Sequence, residues 1–264
     1  MKRSRVFFAT AVLSLTACGG HSGQDSVKTD QDYANAMDVG RDSFDQTRSD
    51  QARQQFGAAY DRALLRDDRL AIRDAGYNMA VATLAAGDAP GALSTVSRVK
   101  ADLALRGGAD HAALDLVSMA ALCRLERYEE ALEQSRHIST GDTALLERRA
   151  FLTGLAADGI GDAGTLATAL DALPRSPKPP RLEMADRAEL EARLALRHNQ
   201  PAEAEASALR AVDLRRDMLD YRSMARALDC ASRAALAAGQ TERAAAYRER
   251  AVQSRAQENP KADK

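Results

Sequence analysis

The chain has 264 residues, of which 45% are apolar, enough for a sizeable hydrophobic core in one large domain or two small ones. Only 4% are aromatic and Trp is absent, so this core must be built from Ala, Leu and Val. Because 37 basic residues balance 38 acidic ones, the composition argues against a general nucleic-acid-binding protein, and three cysteines are too few for a disulfide framework.

Residues 1–17 have the pattern of an export signal. Basic residues at 2, 3 and 5 precede an apolar run over 6–13, which is too short to cross about 30 Å of hydrocarbon as a helix. The following Leu15-Thr16-Ala17-Cys18 resembles the lipobox of bacterial lipoproteins. This resemblance implies cleavage before Cys18, a diacylglyceryl thioether on its sulfur and acylation of the new amino terminus. An ordinary secretory signal that happens to carry a cysteine is the alternative.

Residues 18–31 are polar, contain Gly and Ser and lack periodicity, which predicts a lipidated flexible tether. Removal of residues 1–17 leaves 34 basic against 38 acidic residues, so the net charge of −4 does not favour binding to anionic membranes. The lipid on Cys18 must therefore provide the anchor. The residue after the cysteine is Gly19 and not Asp. Lipoproteins without Asp at this position resemble the class that is sorted to the outer membrane, and the chain shares this feature.

The segment from 32 to 258 is predicted to be helical throughout, followed by a disordered tail at 259–264. Apolar residues recur in it at three- and four-residue spacing, and good helix formers such as Ala, Leu, Arg, Glu and Gln predominate. Short breaks divide the segment into stretches of helix length, which indicates antiparallel helix pairs. The breaks lie at 46–50, 87–90, 106–110, 141–142, 159–161, 174–180, 198–201 and 239–241.

Self-alignment of this segment reveals six copies of one repeat. A residue that is small in five of the six copies recurs at intervals of 40, 39, 35, 38 and 40 residues, and twelve positions before it lies a second set of mostly small residues. We expect the two sets to meet where the helices of each pair approach one another. The first set is Ala52, Ala92, Ala131, Leu166, Ala204 and Ala244, and the second is Gly40, Ala80, Met119, Gly154, Ala192 and Ser232.

A third aligned set, five positions before the first, predicts the turn within each helix pair. Gly or Asn occupies four of its six positions, which fits the left-handed residue that commonly ends a helix. The set is Thr47, Gly87, Glu126, Gly161, Asn199 and Gly239.

Several short motifs in these copies resemble the tetratricopeptide repeat, or TPR. Ala52-x-x-x-Phe56 has the family's A-x-x-x-F spacing, and Tyr77-Asn78-Met79-Ala80 followed by Gly87-Asp88 is similar to its first helix and turn. The resemblance covers about 225 residues. It implies a right-handed superhelical solenoid of about six antiparallel helix pairs, with a groove lined by the first helix of each pair. Intervals near 40 exceed the family's 34 residues, so an armadillo or HEAT solenoid and an unspecialised helical bundle are alternatives.

Motifs that carry catalytic or metal chemistry are missing from the sequence. The four histidines have no partner at metal-ligand spacing, and no nucleophile elbow, Walker loop or dinucleotide fingerprint occurs. Cys123 and Cys230 lie in Ala-rich helical stretches and are predicted to be packing residues. We therefore predict no catalytic residue, no metal and no cofactor.

The repeat register nominates residues that face the groove. The amino-terminal and middle copies contribute apolar side chains, and the last two copies contribute four arginines, which would suit an acidic or carboxylate-ended peptide because guanidinium binds carboxylate in bidentate fashion. The alternative is that these arginines only pair within their own helices at i,i+4 spacing, as from Glu189 and Asp229. The nominated residues are Met37, Arg41, Phe44, Tyr77, Val81, Leu84, Leu116, Ala120, Cys123, Phe151, Leu155, Arg193, Arg197, Arg226 and Arg233.

These patterns predict a non-catalytic scaffold, anchored by lipid at Cys18 on the periplasmic face of the outer membrane. Its expected partner is a protein or peptide held in the groove, and not a nucleic acid. The alternative function is a solenoid that binds a glycan or a small ligand, or an accessory subunit of an envelope enzyme.

Overall fold

A computed structural model describes residues 30–108, 111–174 and 177–258. Across these ranges the chain forms twelve α-helices and no strand. The predicted export signal, Cys18 and the tail at 259–264 lie outside the described residues, as does the tether apart from its last two residues. The helices are α1 (Gln31–Asp45), α2 (Ser49–Leu65), α3 (Arg69–Ala85), α4 (Ala89–Ala104), α5 (Ala112–Arg124), α6 (Tyr128–His137), α7 (Thr143–Ile160), α8 (Ala163–Ala172), α9 (Arg181–Arg197), α10 (Pro201–Asp217), α11 (Tyr221–Ala237) and α12 (Thr241–Glu258).

The helices form six consecutive hairpins that stack along the chain. Each helix packs against the next one in sequence, and odd-numbered helices also contact the following odd-numbered helix from α3 to α11. The odd helices therefore form one layer of the stack and the even helices the other. This arrangement confirms the predicted all-α solenoid of helix pairs.

Small residues lie where paired helices touch, as the alignment predicts. All twelve residues of the two aligned sets are buried. At Gly40 an added Cβ would lie 2.6 Å from the Phe56 ring, so only glycine allows α1 and α2 this separation. Gly154 serves the next hairpin instead, because its added Cβ would lie 2.6 Å from Leu190 of α9. The core is built mainly of Ala, together with Leu and Val, as the composition predicts.

Left-handed residues end the first helix of every pair. All six residues of the third aligned set have positive φ, including Thr47 and Glu126 at 58° each, where neither Gly nor Asn is present. The same device occurs between pairs at Asp67 and Leu219, with φ of 54° and 56°. These two turns, at 66–68 and 218–220, are not among the predicted breaks. No helix of the described ranges is both long and apolar enough to cross a membrane.

Candidate functional site: the inner groove

The odd helices enclose a groove with two adjoining compartments. An apolar compartment of about 310 Å³ lies against α3, α5 and the start of α7, and an arginine compartment of about 640 Å³ extends from there to α9 and α11. We call the two together the inner groove. Both compartments share the side chains at their boundary, which are Leu84, Ala85, Ala120, Arg124 and Arg148.

The apolar compartment follows from the periodicity of α3. Tyr77 and Val81 are four residues apart on one face of this helix, and Leu84 continues the stripe. All three are among the residues that the repeat register nominates. Opposite them α5 presents a second apolar face, and α7 contributes Leu145. The remaining apolar walls are Phe44, Ala113, Leu116 and Val117.

An arginine from the last hairpin bridges the inner groove. Arg222, at the start of α11, donates hydrogen bonds to the carbonyl oxygens of Leu84 at 3.2 Å and Ala85 at 2.9 Å. Arg124 also donates to the Leu84 carbonyl. These carbonyls lie at the carboxyl end of α3, where the helix dipole carries partial negative charge and attracts cations. The bridge connects the second hairpin to the sixth across the groove.

The four predicted arginines meet around two buried carboxylates. The first is Asp158 of α7, whose side chain is only 3% exposed. Its oxygens lie 2.7 Å from the Arg193 Nη1 atom, 2.8 Å from the Arg197 Nε atom and 3.4 Å from the Arg233 Nη1 atom. Burial alone would raise the pKa of Asp158, but the guanidiniums outweigh it, so the pKa is lowered. This carboxylate therefore connects three successive odd helices.

The second carboxylate is Glu189 of α9, which is fully buried. Arg226 donates to both of its oxygens, at 2.6 and 2.8 Å, and Arg193 donates to Oε1 at 2.9 Å. Burial alone would raise the pKa of Glu189, yet the Arg226 and Arg193 guanidiniums lower it to about 2. Both carboxylates are thus ionised at neutral pH, and they face four guanidiniums, which leaves an excess of positive charge.

Of the two ion pairs predicted at i,i+4 spacing, Glu189–Arg193 and Asp229–Arg233, the structure contains the first. Glu189 and Arg193 form the i,i+4 pair, whereas Arg233 contacts Asp158 of another helix and Asp229 pairs with Arg255 of α12. The predicted arginines therefore mainly form ion pairs between different hairpins. Arg193 and Arg226 line the inner groove, while Arg197 and Arg233 lie outside its lining.

Phe151 lies beneath the groove and not in its wall. Its side chain is 1% exposed, and three guanidinium carbons lie near its ring centroid: Arg148 at 5.2 Å, Arg226 at 5.5 Å and Arg215 at 5.9 Å. The ring thus supports charged side chains by cation–π contact. Among the other nominated residues, Met37 is also buried in the core.

Arg148 differs from the other arginines of the inner groove. It makes no hydrogen bond to any residue in the described ranges, and its closest carboxylate oxygen, on Asp186, is 3.9 Å away. Its side chain is 44% exposed and lines both compartments. Burial lowers the pKa of Arg148; Asp186 opposes this, while Arg226 and Arg215 lower it further. Its positive charge is therefore poorly compensated.

The two cysteines of the described residues carry protonated thiols. Cys123 lines the arginine compartment, and burial raises the pKa of its thiol to about 11, so it is protonated at neutral pH. Cys230 is buried and its pKa is likewise raised to about 11. Within 30–108, 111–174 and 177–258, no cluster of three or more His, Cys, Asp or Glu side chains is placed to hold a metal ion.

The chain was compared with known proteins. No protein-family model matches it. No curated protein matches it either.

Proposed function

We propose that this protein is a non-catalytic scaffold of the TPR type that holds a segment of a partner protein in the inner groove. The lining of the groove supports this proposal most strongly. Helices α3 and α5 supply apolar walls, and α7, α9 and α11 supply an excess of arginine. A partner segment with apolar and acidic side chains complements both compartments. Stacked hairpins commonly use such an inner surface for peptide binding.

The proposal includes a lipid anchor at Cys18 on the periplasmic face of the outer membrane. It is supported by the basic, apolar and small residues that precede this cysteine and by Gly19 after it. Several acyl chains on one residue hold far better than a single marginal chain. The polar tether then gives the helical unit a reach of roughly 20 Å on the scaling for flexible linkers.

The experiment is affinity purification of the full chain from detergent-solubilised envelopes. Tyr77→Glu places a charge in the apolar compartment, where the Tyr77 side chain is 36% exposed and forms no part of the ionic network. Leu65→Glu is the matched control, because Leu65 is 80% exposed at the end of α2 and outside the groove. Circular dichroism verifies that both variants keep the helical content of the wild type.

We expect partners recovered with the wild type and with Leu65→Glu to fall at least tenfold with Tyr77→Glu. Equal recovery with both variants would show that the inner groove does not hold the partner. Arg193 is unsuitable for this test, because its removal leaves Asp158 and Glu189 buried without one of their counter-charges and destabilises the fold.

A further inference from the structure

We propose that the inner groove also binds a small anionic amphiphile, an acyl chain that ends in a carboxylate. The carboxylate would bind Arg148 and the chain would occupy the apolar compartment. This inference goes beyond the proposed partner binding and does not depend on it, since it concerns a free small molecule.

The position of Arg148 is the first reason. A guanidinium carries five N–H donors, which a ligand carboxylate can accept from in place of water. Arg148 has no hydrogen bond within the described part of the chain, and Asp186 is too distant at 3.9 Å to accept one. A ligand carboxylate would provide the missing acceptors in bidentate geometry. The other arginines that line the groove already have carbonyl or carboxylate partners, and these are Arg124, Arg193, Arg222, Arg226 and Arg255.

The second reason is the apolar compartment that begins at Arg148. The compartment has a volume of about 310 Å³. At about 30 Å³ for each group, which is the volume of one water molecule in the liquid, this space holds roughly ten groups of methylene size. Tyr77, Val81 and Leu116 line it, and Arg124 and Arg148 are the charged residues in its lining among the described parts of the chain. A linear chain of about ten carbons with one charged end is therefore compatible with its volume and its polarity.

The third reason concerns the number of charges and the shape of the ligand. Glu126, Asp220 and Asp229 line the arginine compartment beside its arginines, so a ligand with one anionic group suits it better than a ligand with several. Since Arg222 bridges the groove, a ligand with a free end enters without breaking this contact. Both compartments fall in the range of about 300–1,000 Å³ that is typical of small-molecule sites.

The test uses the full chain with Cys18→Ala, so that no acyl group is attached there and no detergent competes. Isothermal titration calorimetry measures binding of decanoate, decanol and decylammonium, which share one chain length and differ in charge. We expect decanoate to bind at least tenfold more tightly than decanol, and decylammonium to bind most weakly. Equal affinities for the three probes, or no binding of decanoate to the folded chain, would overturn the proposal without any further variant.

Variants then identify the residue that binds the carboxylate. Arg148→Met is expected to reduce the affinity for decanoate to that for decanol and to leave decanol binding unchanged, because methionine retains an apolar side chain. Arg136→Met is the matched control, since Arg136 is 69% exposed and pairs with Glu133 of its own helix. An unchanged ratio of decanoate to decanol affinity in folded Arg148→Met would refute the role of Arg148.

The two proposals fail separately. Recovery of protein partners that depends on Tyr77, together with no binding of decanoate, would leave the scaffold function intact and refute the amphiphile site. Binding of decanoate that depends on Arg148, together with equal partner recovery from both glutamate variants, would give the opposite result.

Discussion

The ionic network at Glu189 predicts a large and pH-dependent cost of one isosteric substitution. Glu189→Gln keeps the shape of the side chain but removes the negative charge that faces Arg193 and Arg226. Because Glu189 is fully buried, water does not replace the lost interaction. The two guanidiniums then lose one of their counter-charges in the interior of the helical unit.

The magnitude follows from the pKa of the carboxyl group. A decrease from 4.5 to about 2 corresponds to about 3 kcal/mol at about 1.4 kcal/mol for each pKa unit. This value agrees with the range of about 3–5 kcal/mol for breaking a buried ion pair from one side. We therefore expect Glu189→Gln to lower the free energy of unfolding by about 3 kcal/mol at pH 7.

The stabilisation of the folded state by Glu189 decreases at low pH. The pKa of Glu189 is lower in the folded state than its ordinary value of 4.5, so the stabilisation is present above that value and is lost as pH falls towards 2. The stability difference between wild type and Glu189→Gln should therefore decrease from about 3 kcal/mol at pH 7 to about 1 kcal/mol at pH 3. Urea denaturation followed by circular dichroism measures it at each pH.

The control lies two residues further along the same helix. Glu191 pairs with Arg210 on the surface, where the Arg210 side chain is 56% exposed, so Glu191→Gln should cost less than about 1 kcal/mol. A cost below about 1 kcal/mol for Glu189→Gln at pH 7, or a cost that does not change with pH, would refute the reasoning from the buried network.

Three further predictions concern other parts of the chain. Tyr60 is fully buried, and its hydroxyl donates a hydrogen bond to Asp102 at 2.5 Å. Tyr60→Phe should therefore lower the free energy of unfolding, measured by urea denaturation, by about 1–2 kcal/mol. An unchanged free energy of unfolding would contradict this hydrogen bond. Arg222→Met should increase amide exchange at the end of α3 and the start of α11 several-fold, whereas exposed Arg216→Met should not. Cys18→Ala should shift the chain from the outer-membrane fraction to the soluble periplasmic fraction, and an unchanged distribution on immunoblots would argue against lipidation.

The hairpin architecture was predictable because it depends on local patterns. Small residues at a fixed spacing mark helix contacts, and the six aligned turn positions share a left-handed backbone. The turns at 66–68 and 218–220 escape prediction because neither contains Gly or Pro, and because Leu rarely adopts the positive φ that Leu219 has. Tertiary packing and backbone hydrogen bonds, such as that from the Asp68 amide to the Ala63 carbonyl at 3.1 Å, impose this conformation.

Only part of the groove was predictable, because some of its contacts join residues that are far apart in the sequence. The stripe with Tyr77 and Val81 follows from helical periodicity on α3. By contrast, Arg222 reaches Ala85 across 137 residues of sequence, and no local pattern encodes this contact. Likewise, helical spacing shows that Glu189 and Arg193 share a face, but it does not show that Asp158 lies beside them.

Site-specific photo-crosslinking in intact envelopes would detect the proposed contact between the inner groove and the partner without purification. A photoreactive phenylalanine analogue replaces Tyr77 in the groove or, in a second sample, exposed Leu65 on α2. We expect a crosslinked partner polypeptide from position 77 and little or none from position 65. Crosslinks from position 65 alone would contradict it.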